Sequence, residues 1–198
     1  MKKYITIGII GFVSILIFMN GCTSFNNMAT KEETVDQSWG DVQTQYQRRM
    51  DLIPKLVKTV EAYANFEKST LTAVIEARAN ATKVTIDPSK LNSESIAQFE
   101  AAQTQLSSSL GRLMVVAEQY PNLKADQQFL NLQSEIAGTE NRITISRKDF
   151  NKTVVEYNKY IKVFPKNVWA GAFGYSRKDY FKANSNAQNS PDVEFNIK

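Results

Sequence analysis

Ionic and amide side chains recur at helical spacing along this chain, and they are the residues with chemistry to offer. On a wheel of about 100° per residue with Tyr46 at zero, Arg49, Glu67 and Arg78 fall at about 300°, 300° and 320°. That direction lies inside the arc that also holds Trp39, Val42, Ile53, Leu56, Val57, Val60, Ala64, Leu71, Val74 and Ile75. Farther along, Glu140, Arg147, Asn151 and Asn158 are spaced 7, 4 and 7 and stay within about 20° of one direction, beside a second apolar stripe. Such a polar rail admits two uses. An ion buried alone costs several kcal/mol, so pairs across helices that fix register are one use, with Arg78 expected to pair with Glu140. A groove that binds a peptide or small ligand is the other. Catalysis is not expected, because acid–base work by two carboxylates needs both on converging elements, and Glu67 and Glu140 each have an arginine as the nearer expected neighbour.

Composition removes most alternatives. The chain of 198 residues has no His and one Cys, which excludes His-dependent triads, His or Cys metal sites and an internal disulfide. No dinucleotide-binding glycine pattern, P-loop or calcium loop occurs, so no cofactor is expected. Gly174-Tyr175-Ser176 lacks the flanking glycine and strand of a nucleophile elbow. Beyond residue 21 there are 22 basic and 20 acidic side chains, a balance that argues against nucleic acid as a partner. Residues 142–182 nevertheless hold ten Lys or Arg against three acids. Lys148, Lys152 and Lys159 form a stripe opposite the apolar face, either a solvated surface or one that meets anionic headgroups or an acidic partner.

The elements that position these residues are helices. Lys2 and Lys3 precede an apolar run from Tyr4 to Met19, followed by Asn20, Gly21 and Cys22. As a helix the run reaches about 24 Å, short of the roughly 30 Å of a bilayer core. Cys22 directly after a small residue resembles a bacterial lipobox, in which the cysteine carries lipid such as palmitate and begins the mature chain. Residues 1–21 therefore read as a lipoprotein-type signal peptide, with an uncleaved helical anchor and simple secretion as alternatives. Each puts the domain on the non-cytoplasmic side, because the two lysines hold the N-terminus inside. Residues 22–30 are expected to be a linker, 31–183 a helical domain and 184–198 a mobile polar tail.

Proline and polar clusters cut the domain into segments of about 31–81, 91–120 and 123–163, each with one apolar stripe. The second stripe runs through Ile96, Phe99, Leu106, Leu110 and Leu113, with Gln103 in its line. Pro54 should kink or break the first segment near Asp51, giving about four helices in an antiparallel bundle. After Pro165 a short helix and an aromatic clasp are expected, with Trp169, Phe173 and Tyr180 as a candidate partner surface.

The run Trp39, Tyr46-Gln47-Arg48-Arg49-Met50-Asp51-Leu52-Ile53-Pro54-Lys55-Leu56-Val57, then Tyr63, Glu67 and Ala77-Arg78-Ala79, resembles the LemA family. So do Tyr120-Pro121-Asn122-Leu123, Glu140-Asn141-Arg142-Ile143, Arg147, Phe150-Asn151, Tyr157-Asn158 and Phe164-Pro165. The resemblance covers about residues 36–181 and implies an antiparallel helical bundle behind one N-terminal membrane anchor, usually uncleaved. It implies no enzymatic activity, and its setting near membrane proteases or small envelope proteins implies an adaptor. The expected function is a membrane-anchored, non-catalytic scaffold or adaptor of the bacterial cell envelope, with ligand or peptide binding in the polar groove as the alternative.

Overall fold

The computed structural model describes residues 2–63 and 66–182. Among them lie six helices: α1 (Lys2–Glu61), α2 (Lys68–Lys83), α3 (Ser93–Ala117), α4 (Pro121–Lys124), α5 (Gln127–Lys162) and α6 (Lys166–Phe173). A 3-10 turn at Pro88–Lys90 joins α2 to α3, and the described residues contain no strand. The protein is all-α.

α1 corrects two expectations. Residues 22–30 are helical rather than a linker, with Ser24 and Met28 buried, so one helix passes from the apolar segment into the core. Pro54 does not divide that helix. Its ring stands on the exposed face, and the carbonyl it cannot serve, that of Met50, accepts a hydrogen bond from Arg78 Nε at 2.9 Å instead. Arg78 thus fills the gap in the ladder, and it is not the partner of Glu140. The chain turns after Glu61, where the Tyr63 N–H donates to Val60 O and the Phe66 N–H to Tyr63 O, both at 3.0 Å. The turn resets the helical phase, which is why Glu67 and Ile75 are exposed although a single wheel puts both in the apolar arc. Ala64 of that arc, and Ala183 with the tail 184–198, lie outside the described residues.

Local signals start the other helices. Asn92 and Ser95 form a reciprocal capping box at α3. At α5 the Asp126 carboxylate accepts the Phe129 N–H at 2.8 Å and the Tyr63 hydroxyl at 2.9 Å. These donors hold the Asp126 carboxyl below the usual carboxylate range, the Phe129 amide contributing most, and the hydrogen bond to the Asp126 carboxylate pushes the Tyr63 phenol up. Gly174 ends α6 in the left-handed region at φ 80°, and the Tyr175 N–H returns to Ala170 O at 2.9 Å.

α1 and α5 run in opposite directions: Ser38 meets Thr153 (Oγ to Oγ1, 2.7 Å), the rings of Trp39 and Phe150 lie 5.3 Å apart, and Arg49 meets Glu140. The core is in two parts. One holds Trp39, Val42, Tyr46, Ile96, Phe99, Ile143, Phe150 and Val154; the other holds Met50, Ile53, Leu56, Val74, Leu106, Leu110, Leu132 and Ile136. On α1 the change from one to the other falls between Tyr46 and Met50, on α3 between Phe99 and Leu106, and on α5 between Ile136 and Ile143.

Candidate functional site: a polar layer and a clamped strap

The gap in the core is filled by polar side chains. Arg49, one position before Met50, is only 1% exposed. Its Nη1 donates to Glu140 Oε1 and to Ser107 Oγ (2.9 Å), and its Nη2 donates to Gln103 Oε1 (2.5 Å). Ser107 Oγ also donates to Glu140 Oε1 at 3.3 Å, and the guanidinium lies 5.2 Å from the centre of the Tyr46 ring. Three helices are joined in one layer, with an always-charged group at its centre. Glu140 opens outward, its side chain 45% exposed, so the cation is buried and the anion is half in water.

One turn toward the N-terminus of α3, Arg147 forms an ion pair with Glu100 and sits 4.2 Å above the Phe181 ring. The two ion pairs, with Tyr46, Gln103 and Ser107, line a cleft of about 380 Å³. Arg49 Nε and Gln103 Nε2 are buried without a hydrogen-bond partner. Burial pushes the Tyr46 phenol up against the opposing pull of Arg147 and Arg49. The cleft can offer donors to an acceptor-bearing molecule. Its two acids, Glu140 and Glu100, are each tied to an arginine, Arg49 and Arg147.

Asn151 and Asn158 bind the chain itself. The side-chain amide of Asn158 takes both backbone groups of Lys178, donating to its carbonyl at 2.8 Å and accepting its N–H at 3.0 Å. Asn151 does the same to Phe181, at 2.8 and 3.0 Å. Seven helical residues rise about 10.5 Å, and three residues cover that only when nearly extended, at about 3.3 Å each. The segment after Gly174 is therefore a taut strap across α1 and α5. Tyr157 Oη donates to Ser176 O at 2.9 Å, and Lys178 Nζ reaches Glu32 (3.1 Å) and Asp36 (3.2 Å) on α1. Phe181 closes the strap against Trp39 and Phe150.

The family match comes from the chain as a whole. The profile of the LemA family matches residues 38–195. The chain belongs to the LemA family. Protein LemA of Metamycoplasma hominis is 26% identical to it over 174 residues, 82% of this chain and 74% of that one. Magnetosome protein MamQ 2 of Paramagnetospirillum magneticum is 36% identical over 73 residues, and Magnetosome protein MamQ of Magnetospirillum gryphiswaldense 33% over 72 residues. These matches cover 37% and 36% of this chain and about a quarter of the magnetosome proteins, 27% and 26%.

Of the residues singled out in this LemA-family sequence, Arg49, Glu140 and Arg147 come together at the cleft, and Asn151 and Asn158 hold the strap. Glu67 does not join them: it precedes α2 on the surface, where Ser69 and Thr70 hydroxyls donate to its carboxylate and hold it below its ordinary range, Ser69 foremost. Arg78 is apart as well, at the Met50 carbonyl. Lys148, Lys152 and Lys159 are exposed on α5. Cys22 is a free, exposed thiol on the unbroken α1, one residue after Gly21, where an added Cβ would stand 3.1 Å from the Trp169 indole. Phe173 meets Phe25 edge-on at 5.1 Å, and Tyr180 is exposed. Sequence reasoning missed Glu100, Ser107, Lys178, Glu32 and Asp36. Gln103 left a signal, a polar residue inside an apolar stripe. Lys178 left none, because its backbone rather than its side chain meets Asn158.

Proposed function

We propose that this LemA-family protein is a non-catalytic scaffold or adaptor of the bacterial envelope, built as an up-down bundle of α1, α2, α3 and α5 on a retained membrane anchor. The observation that carries this reading is the use of its buried ion: Arg49 ties three helices together, and the remaining inward polar groups close the chain on itself. Groups committed to cohesion make a rigid arm, and a rigid arm serves by display. The first part of α1 is long and apolar enough to cross a membrane. Lys2 and Lys3 orient it with the bundle on the non-cytoplasmic side. Retention of residues 1–21, rather than cleavage before Cys22, is supported by packing of the segment before that cysteine: Gly21 lies against Trp169, and Val13, Leu16 and Ile17 share a groove with Trp169.

A photo-crosslinking residue at the exposed Lys152, in cells expressing the full chain, tests the adaptor. One recurrent envelope protein captured there, and not from the strap-covered face, is the expected result; absence of any recurrent adduct overturns it. Cys22→Ala tests retention: the mature mass stays that of the full chain, whereas loss of a processed, lipid-bearing form would assign a cleaved lipoprotein.

The unpartnered Arg49 Nε and Gln103 Nε2 favour a second reading, a small acceptor-bearing ligand in the cleft. Titration with inorganic phosphate, followed through the Arg49 Nε–H resonance, tests it; an unmoved resonance sets it aside for anions of that kind.

A further inference from the structure

The corner between α5 and α6 does not stop at the end of the bundle. Phe164, Pro165, Val168 and Trp169 line a groove together with Val13, Leu16 and Ile17 of α1. Those three residues lie two to six positions inside the Met19 end of the apolar run, a depth of about 3–9 Å at ~1.5 Å per residue. The side chains that reach this level are the wrong ones for water: Phe164 is 78% exposed and Val168 59%.

We propose that the α5–α6 corner and α6 form a wedge that inserts into the non-cytoplasmic leaflet beside the anchor, with lipid acyl chains and headgroups as its partner. The proposal rests on the anchor reading above and adds a second membrane contact to it. Three observations agree on the lipid as occupant. First, the exposed apolar face of α6 is continuous with the apolar surface of α1. Phe18, Gly21, Cys22 and Phe25 share a second apolar groove with Trp169 and Phe173. Second, the lengths match. Alone, the 16-residue run gives about 24 Å; with the stretch to Phe25 on which α6 packs, which adds Asn20, Thr23 and Ser24 among Gly21, Cys22 and Phe25, the segment spans 22 residues and about 33 Å, against a bilayer core of roughly 30 Å. Third, the lysine that follows Pro165 packs on an aromatic ring. Lys166 folds back so that its Nζ stands 4.1 Å over the Tyr160 ring, which Lys31 also approaches at 5.6 Å. A lysine with its stem along apolar surface and its ammonium directed to the headgroup level, near a Trp and a Tyr, is the pattern of an interfacial helix.

The test uses the full chain in phosphatidylcholine–phosphatidylglycerol vesicles whose acyl chains carry bromine, a contact quencher of indole emission. Trp169 is expected to lose at least half of its emission. Trp39, buried some twenty residues farther along α1, is expected to lose none, so the quenched fraction disappears in Trp169→Phe. Phe164→Asp with Val168→Asp changes two exposed positions and leaves the core intact. It should reduce the quenching at least twofold while the protein stays with the vesicles after a carbonate wash. Vesicle-bound protein with unquenched Trp169, or quenching unchanged in Trp169→Phe, overturns the wedge and leaves the anchor standing. Protein that washes off with carbonate overturns both. A covalent dimer of Phe164→Cys, made in a Cys22→Ala background, at full yield in vesicles would give the apolar face to a second copy and also overturn the proposal.

Discussion

Arg49 and Glu140 form an unequal pair. The arginine has almost no contact with water, so it depends on Glu140, Gln103 and Ser107 for its hydrogen bonds, while the half-exposed glutamate can fall back on solvent. Arg49→Leu therefore removes the centre of the layer and strands Gln103, and should lower the unfolding free energy by about 3 kcal/mol. Glu140→Gln keeps a hydrogen-bond acceptor beside the arginine and should cost only about 1 kcal/mol. Urea midpoints at unchanged slope give both values. The reverse order would mean that the anion holds the layer. This much was legible from the wheel, which singled out both residues as charges in or beside an apolar stripe. Which charge meets which was not legible, because pairing depends on the heights of helices relative to one another, and a single turn moved from Asp51 to Ala62 shifts those heights. Arg78, expected opposite Glu140, was drawn instead to a backbone acceptor that only the unbroken helix creates.

At the scale of elements, the Pro54–Arg78 relation decides how one helix of sixty residues survives an internal proline. The Met50 carbonyl has no N–H four residues on, and the guanidinium fills its place. Coupling between the two sites follows. Arg78→Ala should cost about 1–2 kcal/mol in the native background, as a buried carbonyl loses a charged donor. In the Pro54→Ala background the substituted residue supplies its own N–H to that carbonyl, and the loss should shrink by about 1 kcal/mol. A double-mutant cycle measures the difference, and additive losses would leave the proline without its compensation. The strap poses a separate question about α5. Asn151 and Asn158 each protect one backbone amide, those of Phe181 and Lys178. Asn158→Ala should raise hydrogen exchange at Lys178 at least tenfold while amides in α3 keep their protection, since the strap can open without the bundle. Equal protection in the variant would mean that Lys178 is held by Glu32 and Asp36 alone. The seven-residue spacing of the two asparagines was visible in the sequence, but their ligand was not. Backbone recognition leaves no pattern in the side chains recognised.

For the molecule as a whole, the polar layer is where α1, α3 and α5, among the described residues, interrupt their apolar stripes together. Helices packed by apolar residues alone can slide by a turn and still bury oil against oil; a buried cation with three fixed acceptors cannot. The layer is thus a register device if its removal leaves stability but loses uniqueness. Arg49→Met, Gln103→Leu and Glu140→Leu together would join the two apolar clusters into one. Replacing a buried polar set by apolar residues of similar volume is often neutral or stabilising by about 1–4 kcal/mol, so the triple variant should melt at or above the native temperature even though Arg49→Leu alone melts below it. Its amide spectrum should broaden or show more than one set of peaks, as helices exchange between registers. A triple variant that keeps one sharp set of peaks would show that the apolar stripes and the strap already choose the register. A triple variant less stable than Arg49→Leu would show that the layer contributes net free energy and is no mere device for alignment.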